Sequence, residues 1–185
     1  MDIFKTSSRA EWRKYLEENF TKLNEIWFSL PVPSSNEEGV SYNDAVEEAL
    51  CFGWIDSTNY PLDENHRRLR FSPRRKGSPY SQLNIERLIW LNEHNLIHES
   101  VLPSVLPIIN KPFKYPKKIL SALQKEEVVW NNYQNFSDSY KRIRIAHIVS
   151  SKTKKEYEKR LKTFINKTRD NKLIIGNGSD EKYYK

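Results

Sequence analysis

Apolar residues recur along most of the chain at spacings of three and four, which is the period of an amphipathic helix. A period of two, with many aromatic residues, predicts strands instead at Glu25–Leu30, Trp54–Ser57 and Arg67–Phe71. The predicted fold class is therefore α+β, a mainly α-helical single domain with a small antiparallel β-sheet and hairpin. The predicted helices lie at residues 9–19, 42–52, 82–94, 117–124, 126–133, 138–150 and 152–170, with a proline-interrupted stretch at 101–109.

Local signals place the ends of two of these helices. Ser8 and Ser41 each stand just before a helical pattern, with Glu11 and Asp44 three residues later. A hydroxyl at such a position accepts an early backbone N–H of the helix. Gly53 follows the second pattern and predicts a helix end in a left-handed conformation that other residues resist.

The alternation of side chains along the predicted hairpin separates it into two faces. Leu69 and Phe71 are expected to face the core. If the apolar set faces inward, an outer face gathers four side chains: Trp54, Asp56, Arg68 and Arg70. A change of register by one residue would reverse this assignment.

The length and composition predict one globular domain. The chain has 185 residues, of which 37% are hydrophobic and 12% aromatic, so it can bury a core rich in aromatic rings. The expected domain spans residues 1–172, with a central motif block at 41–95 and a C-terminal helical region at 117–172. Residues 173–185 are expected to form a flexible tail.

The charge balance favours anionic partners. Lys and Arg number 31 against 24 Asp and Glu, a net charge of +7, which suits nucleic acid, phosphorylated ligands or ordinary solubility. Cys51 is the single cysteine, so no internal disulfide is expected. We expect a cytoplasmic protein, since neither a signal peptide nor an apolar run of about 18 residues is visible.

One set of side chains around the hairpin and the loop that follows it combines the groups that bind anions. Its members are Trp54, Asp56, Arg70, Ser72, Arg74, Tyr80 and Ser81. Guanidinium groups and hydroxyls suit a carboxylate or phosphate, and Ser81 would stand at a helix N-terminus with free N–H groups. Asp56 is open to three interpretations: it positions the arginines, acts as an acid or base, or forms a salt bridge with Arg70.

A basic stretch in the same region keeps nucleic acid open as a partner. It comprises Arg67, Arg68, Arg70, Arg74, Arg75 and Lys76, and no acidic residue lies between Asn65 and Ile85. Arginines beside aromatic residues suit phosphate contacts and base stacking. The predicted last helix is also rich in lysine; a solvated face is the default interpretation of that pattern, and a surface for anionic lipid or nucleic acid is the alternative.

Other familiar chemistry lacks support in the sequence. His94 and His98 stand four residues apart, but Asn95 between them is expected to end the helix, so no metal site is predicted. Cys51 has apolar neighbours and no histidine close in sequence, which indicates a buried hydrophobe. There is no glycine-rich phosphate loop, so no cofactor is expected.

The motifs of this region resemble those of the YdeI/OmpD-associated family, also described as bacteriocin-protection proteins. The matching segments are Glu48–Asp56 (E-A-L-C-F-G-W-I-D), Asp63-Glu64, Arg70–Arg74 (R-F-S-P-R), Tyr80-Ser81 and Asn84. The resemblance adds Asn84 to the candidate ligand-binding residues. It extends to the C-terminal region through Ser151-Lys152 and Arg160, where Glu156 and Tyr157 replace the Thr and Arg usual in the family.

The family names imply links to peptide-stress resistance and to an outer-membrane protein, and they imply no reaction. We therefore predict a non-enzymatic cytoplasmic binding or stress-protection protein. Its hairpin and loop would take an anionic small molecule or peptide. Two alternatives stay open: a nucleic-acid-binding module that uses the basic loop and last helix, and an enzyme with Asp56 as acid or base.

Overall fold

The computed structural model describes residues 2–35, 37–176 and 181–184. The chain forms two compact units: Met1–Pro79 with Arg87–Ile108, and Tyr80–Glu86 with Ile109–Lys185. The single domain expected over residues 1–172 stays a prediction.

The predicted α+β class is confirmed, with eight α-helices and one small sheet in the described part of the chain. Elements of the first unit are β1 (Ile3–Phe4), α1 (Arg9–Asn19), β2 (Ile26–Pro31), α2 (Tyr42–Cys51), β3 (Trp54–Pro61), β4 (His66–Pro73) and α4 (Leu102–Ile109) without its last residue. Helix α3 (Gln82–Glu93) has its first five residues in the second unit. The second unit adds α5 (Lys117–Leu123), α6 (Glu127–Asn135), α7 (Asp138–Val149) and α8 (Lys154–Arg169).

The sheet of the first unit is mixed, with the strand order β1-β2-β4-β3. β1 is an addition to the prediction and runs parallel to β2, whereas the other two pairings are antiparallel. The predicted long turn at residues 58–65 is wrong, because β3 continues to Pro61 and β4 begins at His66. The polar residues at the end of β3 are therefore strand residues.

Helix α1 packs on one face of this sheet, which we call the inner face. The ring of Trp12 lies 4.4 Å from the ring of Phe28 and 5.3 Å from that of Phe71 between centroids. Its indole N–H donates to the backbone oxygen of Ala45 in α2 at 3.1 Å, so the two helices share this anchor. The buried aromatic rings form the core that the composition predicts.

An ion-pair network joins α1 to α2. Arg9 pairs with Glu48 at 2.6 Å, with Glu47 at 3.0 Å and with Asp44, and Arg13 pairs with Glu48 at 2.8 Å. Glu47 and Glu48 are 0% and 3% exposed, so their charges depend on these guanidinium groups. Burial alone lowers the pKa of Arg9, but the carboxylates around it raise that pKa above its ordinary value.

Several predicted helix ends are confirmed. The hydroxyls of Ser8 and Ser41 accept backbone N–H groups of Glu11 and Asp44. Gly53 has φ of 72° after α2, the left-handed conformation that its lack of a side chain favours. Asn95 has φ of 54° just after α3, which it was predicted to end.

The second unit has its own apolar cluster, formed by α5 to α8 and including Tyr140 and Phe164. Arg160 of α8 donates to the backbone oxygen of His147 and to Ser150 Oγ at 3.2 Å, which satisfies the end of α7. Within the same unit, Arg142 holds Glu86 through two hydrogen bonds of 2.6 and 2.7 Å.

The last described residues also pack in this unit. The backbone N–H of Ile174 donates to the hydroxyl of Tyr140 at 2.9 Å, and Tyr183 of the 3-10 helix Glu181–Tyr184 is buried. Residues 177–180 and 185 of the predicted flexible tail lie outside the described residues. The flexibility of the tail stays a prediction.

No helix in the described ranges is long and apolar enough to cross a membrane.

Candidate functional site

The register of the hairpin corrects the predicted outer face. Residues opposite each other in antiparallel strands share a face, and Asp56 stands opposite Phe71, whereas Arg70 stands opposite Trp27. Asp56 therefore lies on the inner face with Phe71, and Arg70 lies on the other. Trp54 is on the inner face as well and is 1% exposed, so it belongs to the core.

Arg70 and Asp56 have different partners. The Arg70 Nε donates to Glu25 at 2.7 Å, and its Nη1 lies 3.4 Å from the Ser57 hydroxyl. The expected Asp56–Arg70 salt bridge is wrong, because the two side chains leave the sheet on opposite sides. The Arg70 hydrogen bond also lowers the pKa of the exposed Glu25 carboxyl.

Asp56 holds the hydroxyl of Tyr42, the first residue of α2. The Tyr42 hydroxyl donates to Asp56 Oδ2 at 2.9 Å. Burial is the main cause that raises the pKa of Tyr42 to about 12, and the Asp56 carboxylate adds to it. The phenol therefore stays neutral and remains a hydrogen-bond donor to Asp56 at physiological pH.

Two guanidinium groups lie against the same tyrosine. Arg67 Cζ is 5.6 Å from the centre of the Tyr42 ring, and Arg87 Cζ is 6.0 Å from it. Arg87 Nη2 also donates to the side-chain oxygen of Asn43 at 2.7 Å. We call Tyr42, Asn43, Asp56, Arg67 and Arg87 the Tyr42 cluster. It combines cations, amide and carboxylate groups beside one aromatic ring.

The loop after β4 is closed by its own arginine. Arg74 Nη2 donates to the backbone oxygen of Ser78 at 3.1 Å and to that of Pro79. The backbone N–H of Arg74 donates to the backbone oxygen of Gly53 at 3.0 Å. Ser72 stands opposite Ile55, on the same face as Arg70. These contacts give Arg74 a role in loop geometry.

Three predicted site residues belong to the second unit. Ser81 accepts the backbone N–H of Asn84 at 3.2 Å, which confirms it as the cap of α3. Asn84 is buried and Tyr80 is half-buried. The structure does not assign these three residues to the Tyr42 cluster, which lies within the first unit.

Sequence reasoning missed most of the Tyr42 cluster. The sequence pattern places Tyr42 and Asn43 at the start of one helix and Arg87 within the next. Arg87 is 45 residues from Tyr42, and no local pattern reveals that proximity.

Cys51 and the histidines have structural surroundings. Burial raises the pKa of the Cys51 thiol to about 12, so the thiol is protonated and not a nucleophile at neutral pH. His94 stacks on Trp90 at 4.0 Å, whereas the ring of His98 interacts with the Ser100 hydroxyl at 2.8 Å. No three His, Cys, Asp or Glu residues in the described part of the chain group as metal ligands would.

Replacing Asp56 by Asn is expected to lower the pKa of Tyr42 from about 12 while leaving it above the ordinary value of about 10. The carboxylate charge disappears, but burial, the larger cause, stays. Because folding raises the pKa of Tyr42, the neutral phenol contributes to the free energy of unfolding. This contribution is fully present below a pH of about 10 and is lost as the pH rises towards 12.

The measurement is the tyrosinate absorbance of the wild type minus that of Tyr42→Phe, repeated in the Asp56→Asn background. An ordinary Tyr42 titration in the wild type would contradict the geometry of the cluster.

Two protein-family models match the chain. Residues 4–104, more than half of the sequence, match a model described as a domain of unknown function (DUF8412). Residues 112–171 match a model described as "Bacteriocin-protection, YdeI or OmpD-Associated". No curated protein and no solved structure matches the chain. The suspected family is thus confirmed, but on the C-terminal helices, whereas the motif block at Glu48–Asn84 lies in the first match.

Proposed function

We propose that this chain is a non-enzymatic binding protein of the cytoplasm. It belongs to the DUF8412 family through residues 4–104, and its residues 112–171 match the YdeI/OmpD-associated family. Its ligand is an anionic small molecule or peptide, and its role is protection against stress. The ligand's anionic group binds at the Tyr42 cluster, on the inner face of the β3–β4 hairpin.

The observation that carries this proposal is the state of Arg67. Its guanidinium lies against the Tyr42 ring, and among the described residues no carboxylate stands within ion-pair distance of it. Its Nε is buried without a hydrogen-bond acceptor in that same part of the chain. By contrast, Arg9 and Arg70 are both paired with carboxylates.

A guanidinium in this state is suited to bind an anion. Its planar fork of N–H groups matches the two oxygens of a carboxylate or phosphate. Leaving such donors without acceptors costs free energy, which an arriving anion recovers. The guanidinium already rests against the Tyr42 ring, so less side-chain entropy is lost on binding.

Asp56 is a positioning residue in this proposal. By accepting the Tyr42 hydroxyl it orients the ring on which Arg67 rests. Its carboxylate also disfavours ligands that carry negative charge next to the phenol.

Replacing Arg67 by Ala is expected to weaken the binding of pyrophosphate or of a hexaglutamate peptide about 10- to 100-fold. Arg75→Ala is the matched control, because it removes the same charge from the exposed loop. Binding is measured by isothermal titration calorimetry, and the Arg67 Nε–H resonance is expected to shift on titration. Equal losses of affinity in both variants would point to nonspecific attraction. The proposal fails if the wild type binds neither pyrophosphate nor hexaglutamate.

The cellular part of the proposal has separate tests. Fractionation of cells that produce the full chain is expected to recover it with cytoplasmic markers, and recovery with the envelope would contradict this. Cells producing the wild type are expected to survive a bacteriocin better than cells producing Arg67→Ala. Equal survival would separate the Tyr42 cluster from any protective role.

A further inference from the structure

The face of the sheet opposite to α1, which we call the outer face, carries an arginine beside a pair of stacked aromatic rings. Arg68 Cζ lies 5.2 Å from the centre of the Trp27 ring and 5.5 Å from that of the Tyr60 ring. The two rings are 6.0 Å apart and inclined by 29°. We call Trp27, Tyr60 and Arg68 the outer stack.

A β-bulge creates this arrangement. Asp56 pairs with Phe71 and Asn59 with Leu69, so Ser57 and Thr58 together oppose a single residue of β4. Without the extra residue, Tyr60 would point to the same face as Asp56, four positions earlier. The bulge transfers Tyr60 to the outer face, directly opposite Arg68.

Arg68 differs from the neighbouring arginine of the outer face in having no acidic partner. Arg70 is paired with Glu25 at 2.7 Å. Arg68 forms only its two ring contacts, and within residues 2–35, 37–176 and 181–184 no acceptor or carboxylate is bonded to its guanidinium. Ser29, opposite Arg68 in β2, has a buried hydroxyl that likewise has no hydrogen-bond partner in those ranges.

Tyr60 is open to a ligand. Tyr60 is 48% exposed and lies near the end of β3, an edge strand of the sheet. Beyond the end of β4 come the exposed Arg75 and Lys76, and the sequence has no acid between Asn65 and Ile85. The outer stack is thus an exposed aromatic surface with one arginine, and further cations follow the far end of β4.

We infer that the outer stack binds single-stranded nucleic acid, with one base on Tyr60 and the adjoining phosphate on the guanidinium of Arg68. Arg75 and Lys76 attract the phosphates that follow. This inference does not rest on the proposed anion site, since Arg67 and Arg68 are adjacent residues on opposite faces of β4.

The chemistry selects a single strand over other polyanions. An unpaired base offers a flat face to an exposed ring, whereas the bases of a duplex are stacked on one another and unavailable. An acidic peptide would satisfy the cations but has no flat base to stack on the exposed Tyr60 ring. Contact with two or three phosphates gives a shallow salt dependence, with a logarithmic slope of about −1.5 to −2.

The test measures fluorescence anisotropy of a labelled oligothymidine of about 12 nucleotides, within the range of known single-strand site sizes. An abasic strand of the same length, a duplex and hexaglutamate are compared with it. Tyr60→Ala is expected to weaken oligothymidine binding by about 5- to 150-fold, the usual effect of losing one stacked base. Tyr60→Phe keeps the ring and is expected to bind as the wild type does.

Arg68→Ala is expected to weaken binding more than the control Arg75→Ala, which removes an equal charge outside the stack. Circular dichroism checks that each variant is folded. The inference is overturned if the abasic strand binds as tightly as oligothymidine, if Tyr60→Ala binds as the wild type does, or if no strand binds at low salt. Binding of hexaglutamate that Tyr60→Ala or Arg68→Ala weakens, with no binding of any strand, would assign the outer stack to acidic peptides instead.

Discussion

Replacing Arg9 by Met is expected to lower the free energy of unfolding by about 3 kcal/mol. The change removes the guanidinium that pairs with Asp44, Glu47 and Glu48, while Met keeps most of the apolar stem. Glu47 and Glu48 are almost fully buried, so water cannot replace the lost partner. The effect falls at the lower end for buried ion pairs because Arg9 is one-third exposed and Arg13 still pairs with Glu48.

Urea unfolding followed by tryptophan fluorescence measures this difference, since Trp12 is buried on the same helix. Lys14→Met is the matched control: it removes an equal charge from an exposed position of α1 and is expected to change stability by less than about 0.5 kcal/mol.

A double-mutant cycle separates the ion pair from the packing of the stem. Adding Glu47→Gln to Arg9→Met removes one of the charges left behind, so the double variant is expected to be more stable than the sum of the single losses predicts. Additive losses would show that the network has no electrostatic coupling at this pair, and the account of the α1–α2 junction would fail.

The helices and their ends were predictable because their signals are local. A hydroxyl such as that of Ser8 or Ser41 bonds an N–H three residues away, and a glycine after a helix relieves strain at its own position. The period of the apolar residues likewise records which side of one helix is buried. None of these inferences needs knowledge of a distant part of the chain.

The candidate site was less predictable because it depends on register and on distant partners. The apolar character of Ile55 suggested that this residue faces the core, but pairing of Trp54 with Pro73 places the larger tryptophan there. The bulge that turns Tyr60 outward is visible only once β3 and β4 are paired. Arg70 pairs with Glu25, which is 45 residues earlier in the chain, and not with Asp56. This pairing follows from the sheet, because Arg70 and Asp56 lie on opposite faces.

The Tyr42 cluster shows the same limit from the functional side. The sequence draws attention to the arginines of β4 because no acid lies near them in the chain. In the structure the charge of Arg70 is neutralised by Glu25, whereas Arg67 has no carboxylate partner among the described residues, so Arg67 is the arginine that we propose for the ligand. Which cation is available to a ligand is a property of the folded neighbourhood.

Replacing Trp54 by Ala is expected to lower the free energy of unfolding by about 3–5 kcal/mol, the usual cost of removing a large ring from a core. Trp54 is 1% exposed, and its indole N–H donates to the backbone oxygen of Phe20 at 3.2 Å. Trp54→Phe keeps a ring and loses the hydrogen bond, for a smaller expected cost of about 1–3 kcal/mol. Arg70→Ala, at a partly exposed ion pair, is expected to cost no more than about 1 kcal/mol.

Urea denaturation of the three variants, combined with pyrophosphate titration of each, separates a core residue from a ligand-binding one. A core role predicts that Trp54→Phe is less stable than the wild type yet binds pyrophosphate with the same affinity while folded. A stable Trp54→Ala variant with weakened binding would return Trp54 to the ligand site and overturn the register-based assignment of the hairpin faces. Because that register also defines the inner and outer faces, the result bears on Arg67 and Arg68 together.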